Sequence, residues 1–175
     1  MDYEDVLNFW FSKASQDKWF VRDEQFDKKV SARFRTHWEA AYRGEYYTWR
    51  ESIKGRLAEI ILLDQFSRNL NRNSPDAWAH DNMALVLSQE AINRPEYPQL
   101  SIPQRAFLLM PWMHSESSLI HVKATELFEE LGDPNFIRHQ QEHRAIIVRF
   151  GRYPHRNQLL GRASSRDELN YLSKL

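Results

Sequence analysis

The stretch IKGRLAEIILLDQFSRNL, running from Ile53 to Leu70, decides the fold. At helical spacing it is apolar on two faces, with Leu57, Ile60 and Ile61 on one and Leu62, Leu63 and Phe66 on another. A helix greasy on two sides has to lie at the centre of a helical protein rather than on its surface. The first face then runs into Asp64 and Arg68, spaced i, i+4, so that carboxylate and guanidinium can pair on the buried side. A desolvated ion pair roughly breaks even at best against a hydrophobic substitute. Such a pair either joins helices or marks a site, and Gln65 and Asn69 can extend the polar patch.

Outward from this segment the pattern stays helical. An opening helix puts Val6, Phe9 and Trp10 on one face and ends near Phe11. A second spans Asp23 to Arg43, with Phe26, Val30, Phe34 and Trp38 repeating every four residues and Gly44 as its stop. Ser74 caps and Pro75 opens a helix with the stripe Trp78, Asp81, Leu85, Ser88 and Ile92. Pro95, Pro98 and Pro103 mark a loop, followed by a short helix from Gln104 to Met110 that stops at Pro111. Ser115 is the expected cap of a helix ending at Leu131-Gly132. Asp133-Pro134 opens the next, whose stripe is His139, His143, Ile146, Ile147 and Phe150. After a non-helical stretch from Gly151 to Ala163, Ser165 to Glu168 match a capping box, with Leu169 and Leu172 inward. No sustained apolar and polar alternation is present, so the expectation is an all-α fold of antiparallel helix pairs with grooves between them.

Composition narrows the function. The chain has 175 residues, 42% hydrophobic, with 24 basic against 24 acidic side chains and no cysteine. One domain spanning 1–175 is expected, with no linker to divide it. Disulfides, thiolate metal sites and cysteine nucleophiles are excluded. The balanced charge argues against nucleic acid as a partner. No run reaches the roughly 18 apolar residues of a membrane span, and the acidic start lacks a secretory pattern, so a soluble cytoplasmic protein is expected. Five glycines form neither G-x-G-x-x-G nor a P-loop, and Ser115, Ser164 and Ser165 lack a nucleophile-elbow context.

Three clusters carry the candidate chemistry. From Arg149 to Asn157 the chain reads RFGRYPHRN, a helix end and sharp turn that gathers Arg149, Arg152, His155, Arg156 and Asn157. Guanidinium forks suit carboxylate or phosphate. From Arg138 to Arg166 seven arginines face a single carboxylate, Glu142, a net charge of +6. The bland reading is that these arginines pair with Asp64, Asp81, Glu116 and the run Glu126, Glu129 and Glu130. At His114-Ser115-Glu116 a carboxylate at a helix start would be favoured by the dipole, beside a histidine able to exchange protons. Lastly, His139 to His143 has the H-x-x-E-H form of a zinc helix, but lacks an evident third ligand, so no metal and no cofactor are assigned.

Taken together, LDQFSRN (Leu63–Asn69), Ala79-His80-Asp81, MPWMHSE (Met110–Glu116), RFGRYPHRN and Leu160-Gly161-Arg162 resemble, in order, the bacterial family of domain of unknown function 924. The resemblance covers nearly the whole chain and implies a tetratricopeptide-like helical fold with no established activity. Ser67 stands where the family pattern has proline, and Met113 where it has glutamate. His143 belongs to the pattern, whereas His139 and Glu142 do not. The leading expectation is a groove that collects Asp64, Arg68, Asp81, His114, Glu116, His143, Arg152, His155 and Arg156 to bind a small anionic, phosphate- or carboxylate-bearing molecule. One alternative is a metal-free hydrolase or transferase with His114 or His143 as general base. The other is a peptide or protein scaffold using exposed aromatics such as Tyr46, Tyr47 and Trp49.

Overall fold

A computed structural model describes residues 2–175. Every regular element among them is helical: α1 (Tyr3–Trp10), α2 (Lys13–Gln16), α3 (Glu24–Tyr42), α4 (Ile53–Ile61), α5 (Ser67–Leu70), α6 (Asp81–Ala91), α7 (Ile102–His114), α8 (Ser118–Leu131), α9 (Pro134–Phe150) and α10 (Arg166–Leu172), with short 3-10 turns between. The caps explain most boundaries. Asp23 accepts the Gln25 and Phe26 amides at the start of α3, and Asp133 those of Asn135 and Phe136 at the start of α9. Gly132 and Gly151, at φ +77° and +69°, end α8 and α9 in the left-handed conformation that glycine adopts without strain.

The segment from Ile53 to Leu70 is central, as its two apolar faces require. Leu57, Ile60, Ile61, Leu62, Leu63 and Phe66 are all fully buried, with α1 and α3 on one side and α6 and α7 on the other. It is not one regular helix. Between α4 and α5, Leu62–Phe66 form a π turn, in which Asp64 is buried and Gln65 half-buried. Ser67 stabilises the exit: its hydroxyl donates to the Leu63 carbonyl at 2.5 Å and accepts from Trp38 Nε1 at 2.7 Å. From α6 onward, successive helices pack as hairpins, α6 on α7, α7 on α8 and α8 on α9.

Several expectations need correction. Ser74 caps only the 3-10 turn Pro75–Ala77, and α6 starts afresh at Asp81, because Trp78 at φ −125° leaves the helical path. Pro103 lies in the first turn of α7 rather than in a loop, and α7 continues through Pro111 to His114. Met110 to Met113 are all buried, and that packing outweighs the ~3 kcal/mol a proline costs inside a helix. In the turn before Pro111 the Ser88 hydroxyl donates to the Leu108 carbonyl at 2.5 Å and accepts from Trp112 Nε1 at 2.9 Å. Ser117, not Ser115, caps α8, so Glu116 lies before the helix and not in its first turn. In α10 Leu169 is exposed and Glu168 is the buried residue, because Arg152 grips its carboxylate at 2.7 and 2.8 Å. Tyr46 and Trp49 are stacked on each other at 3.8 Å and packed against the core, which leaves Tyr47 alone of the three fully available.

Candidate functional site

The π turn, the end of α7 and the α9 helix bring their polar side chains to one place. Asp64 is fully buried and its Oδ1 lies 2.7 Å from His114 Nδ1 and 3.1 Å from Arg68 Nη1. Gln65 Nε2 donates to its other oxygen. Burial works against the Asp64 charge, but Arg68 and His114 beside it outweigh that and hold the carboxyl well below the ordinary range. An ionised carboxylate can only accept, so the proton between the two groups sits on His114 Nδ1, and Nε2 is the nitrogen turned away from Asp64.

Asp81 is the second anchor. Arg68 grips it bidentately at 3.0 Å through both terminal nitrogens, and Arg156 Nη1 reaches it from the far side at 3.1 Å. Arg156 is buried between the rings of Trp78 and Tyr153, at 5.3 and 4.7 Å from their centroids, and also donates to the His114 carbonyl at 3.1 Å. Glu116 takes a third arginine, Arg162, at 2.6 and 2.9 Å and the Tyr153 amide at 2.7 Å. These donors overcome its partial burial and lower its pKa. Three carboxylates and three guanidiniums therefore form a balanced network.

Two cavities flank it. One, of about 440 Å³, is walled by Trp78, Asp76, Asp81, Glu116 and Arg156, and so by carboxylates along with their guanidinium partners. The other, of about 210 Å³, has Trp19, Phe20, Met110 and Met113 as apolar walls and Gln65, Arg68, His114, His139 and His143 as its polar lining. His114 borders both. In the smaller cavity His143 donates Nδ1–H to the His139 carbonyl at 2.7 Å, so its Nε2 is an acceptor. Burial, with His114 nearby, pushes the His143 pKa down to about 4, which keeps the ring neutral at pH 7. Nε2 of His114, Nε2 of His143 and Nε–H of Arg68 have no protein partner among the described residues and are not sealed from solvent.

The candidates read from sequence divide accordingly. Asp64, Arg68, Asp81, His114, Glu116, His143 and Arg156 meet in or beside the network. Arg149 is instead on the surface with Asp167 at 2.6 Å, and Arg152 is turned to Glu168. Neither lines the two cavities around His114. His155 is exposed beside Arg156 and Tyr153, and partial burial together with the Arg156 charge lowers its pKa. Asn157 ties its own loop, donating to Ser164 Oγ and accepting from Arg162 Nε, both at 3.0 Å. Asn69 leaves the patch for Asp27 at 2.8 Å. In the H-x-x-E-H segment, Glu142 is 60% exposed and 3.5 Å from His139, and among the described residues no three His, Asp or Glu side chains are placed to hold a metal ion. Trp19 and Phe20 carry no sequence signal for the cavity, because the stretch between α2 and α3 has no apolar periodicity.

The family model for "Bacterial protein of unknown function (DUF924)" matches residues 6–175. A solved structure of a protein of unknown function from Agrobacterium tumefaciens is similar over 99% of this chain and 97% of its own, at 38% identity and a TM-score of 0.93. A search of curated proteins finds no match. No helix among the described residues is long and apolar enough to cross a membrane.

Proposed function

We propose that this chain, which belongs to the DUF924 family of bacterial proteins, binds a small anionic organic molecule in the cavity between the π turn, α7 and α9. The anionic group sits against the Nε–H of Arg68 and against His114, an O–H of the ligand donates to Nε2 of His143, and the organic body lies along Trp19, Phe20 and Met113. The reading rests on one observation: the lining holds a guanidinium and three imidazoles and no carboxylate. On the other side of His114 the lining guanidinium faces lining carboxylates, so an anion there would have to displace them. A cavity of about 210 Å³ suits a metabolite with one ring or a short chain. The cavity belongs to a single domain of tetratricopeptide-like helix pairs in this reading, and the arginine turn from Arg149 to Asn157 supports the network without being the clamp.

A ligand panel tests this by thermal unfolding. Benzoate and phenyl phosphate are expected to raise Tm, by about 2.7 kcal/mol of stabilisation at a hundredfold excess over Kd, while benzyl alcohol does not. His143→Leu, which removes the acceptor for a phosphate O–H, is expected to weaken phenyl phosphate about tenfold, about 1.4 kcal/mol, and to leave benzoate, which has no O–H to give, unweakened. Equal effects of charged and neutral compounds, or none from either anion, overturn the proposal.

A further inference from the structure

Of the three imidazoles in the smaller cavity, His114 is the one whose Nδ1–H is bonded to a buried, ionised carboxylate. His143 bonds a main-chain carbonyl instead, and His139 faces a mostly exposed glutamate. A carboxylate behind Nδ1 does two things for the far nitrogen: it fixes the lone pair on Nε2, and it stabilises the positive ring that forms when Nε2 bonds to an electrophile. Asp64 is itself fixed by Arg68 and Gln65, so the pair is preorganised.

We propose that His114 is a nucleophile that takes a phosphoryl group from a phosphorylated ligand, forming phosphohistidine at Nε2. This rests on the anion-binding reading above and specifies its substrate class. In the first step the Nε2 lone pair forms the N–P bond while the P–O bond to the leaving group breaks, and the leaving oxygen departs with the electron pair. The Nδ1 proton stays on the ring, whose positive charge Asp64 balances. In the second step a water oxygen bonds to phosphorus, the N–P electrons return to Nε2, and Nε2 of His143 accepts the water proton. The ring centroids of His114 and His143 are 6.0 Å apart, and both rings border the smaller cavity.

Phosphoryl transfer fits this lining better than acyl transfer. An acyl intermediate relies on fixed donors, commonly main-chain amides, around a newly formed oxyanion. Here the polar lining comes from α7, α9 and the helical run from the π turn into α5, away from their N-termini, where main-chain amides are spent inside the helices. A phosphoryl group carries its negative oxygens throughout the reaction, and stabilising them is largely a matter of cationic positioning. The unpaired Nε–H of Arg68 is such a donor, on a side chain that is 21% exposed.

The experiment is to treat the full chain with phosphoramidate at neutral pH and map the label by mass spectrometry. The other six histidines serve as internal controls. Labelling at His114 is expected to be about tenfold faster than at any of them, and about tenfold slower at His114 in Asp64→Asn. His143→Gln is expected to label but to lose the phosphoryl group more slowly. Even spread over the histidines, or preference for another one, overturns the proposal. If Asp64→Asn does not fold, His114→Gln decides: label that persists at the wild-type level contradicts the assignment. The phenyl phosphate thermal shift separates the two readings. A shift with no His114 label sinks the nucleophile alone, whereas no shift and no label sinks anion binding as well.

Discussion

The two cavities beside His114 share a wall and differ in how their charge is arranged. On the larger side, Arg156 and Asp81 face each other across 3.1 Å and Arg162 and Glu116 meet at 2.6 Å, so each lining guanidinium is paired with a carboxylate, although the buried Nε–H of Arg156 keeps no partner among the described residues. On the smaller side the carboxylate that balances the lining, Asp64, is hidden behind it, so the polar end of the cavity holds a guanidinium, three imidazoles and the Gln65 amide and no carboxylate. The same kinds of residue thus build a structural clamp in one place and a receptive surface in the other. What separates them is the position of Asp64, buried in the π turn behind His114 and Arg68.

The comparison breaks most visibly if the balanced side is unbalanced. Asp81→Asn leaves Arg68 and Arg156 without their shared carboxylate, and a loss of about 3–5 kcal/mol is expected by chemical denaturation. A loss below about 1 kcal/mol would mean that the network is not the clamp described.

Titration probes the other side. The His143 imidazole is neutral in the fold, with its pKa lowered to about 4, so below pH 6.5 the unfolded chain binds more protons than the folded one. Its contribution is fully present above pH 6.5 and falls as the pH drops toward 4, by up to about 1.4 kcal/mol per pH unit. His143→Leu is expected to flatten that part of the stability profile, and an unchanged profile would place the ring in ordinary solvent.

The smallest effect belongs to Arg152. Arg152→Met frees Glu168 and is expected to loosen α10, read as faster proteolysis at the C-terminal end, while leaving the benzoate-induced rise in Tm unchanged. A lost ligand effect would return Arg152 to the binding site and blur the distinction between the two regions.

Local signals made much of this legible. Asp23, Asp133, Ser165 and the glycines at 44, 132 and 151 mark helix ends because capping is decided within a few residues. The burial of Asp64 and its pairing with Arg68 could be read from an apolar stripe running into an i, i+4 pair. The π turn could not, since one extra residue in a turn leaves every side chain of the segment apolar or polar as before. Pro111 misled for a related reason: its local cost is outweighed by burial that comes from distant helices. For the charge of +6 from Arg138 to Arg166 the sequence offers Asp81 and Glu116 as partners, but not that they meet Arg156 and Arg162, because the paired residues lie tens of positions apart in the chain. Gln65 and His143 are legible as cavity walls, from the polar patch and the family pattern, whereas Trp19 and Phe20 beside them have no sequence signature.

The central claim is that an anion binds on the imidazole side of His114. Histidine-resolved NMR follows the ring resonances of all seven histidines during a titration with phenyl phosphate. The account predicts that His114, His143 and His139 shift together and saturate with one Kd, while His155 and His121 stay in place. Shifts centred on His155, or no saturable shift at His114, would contradict it.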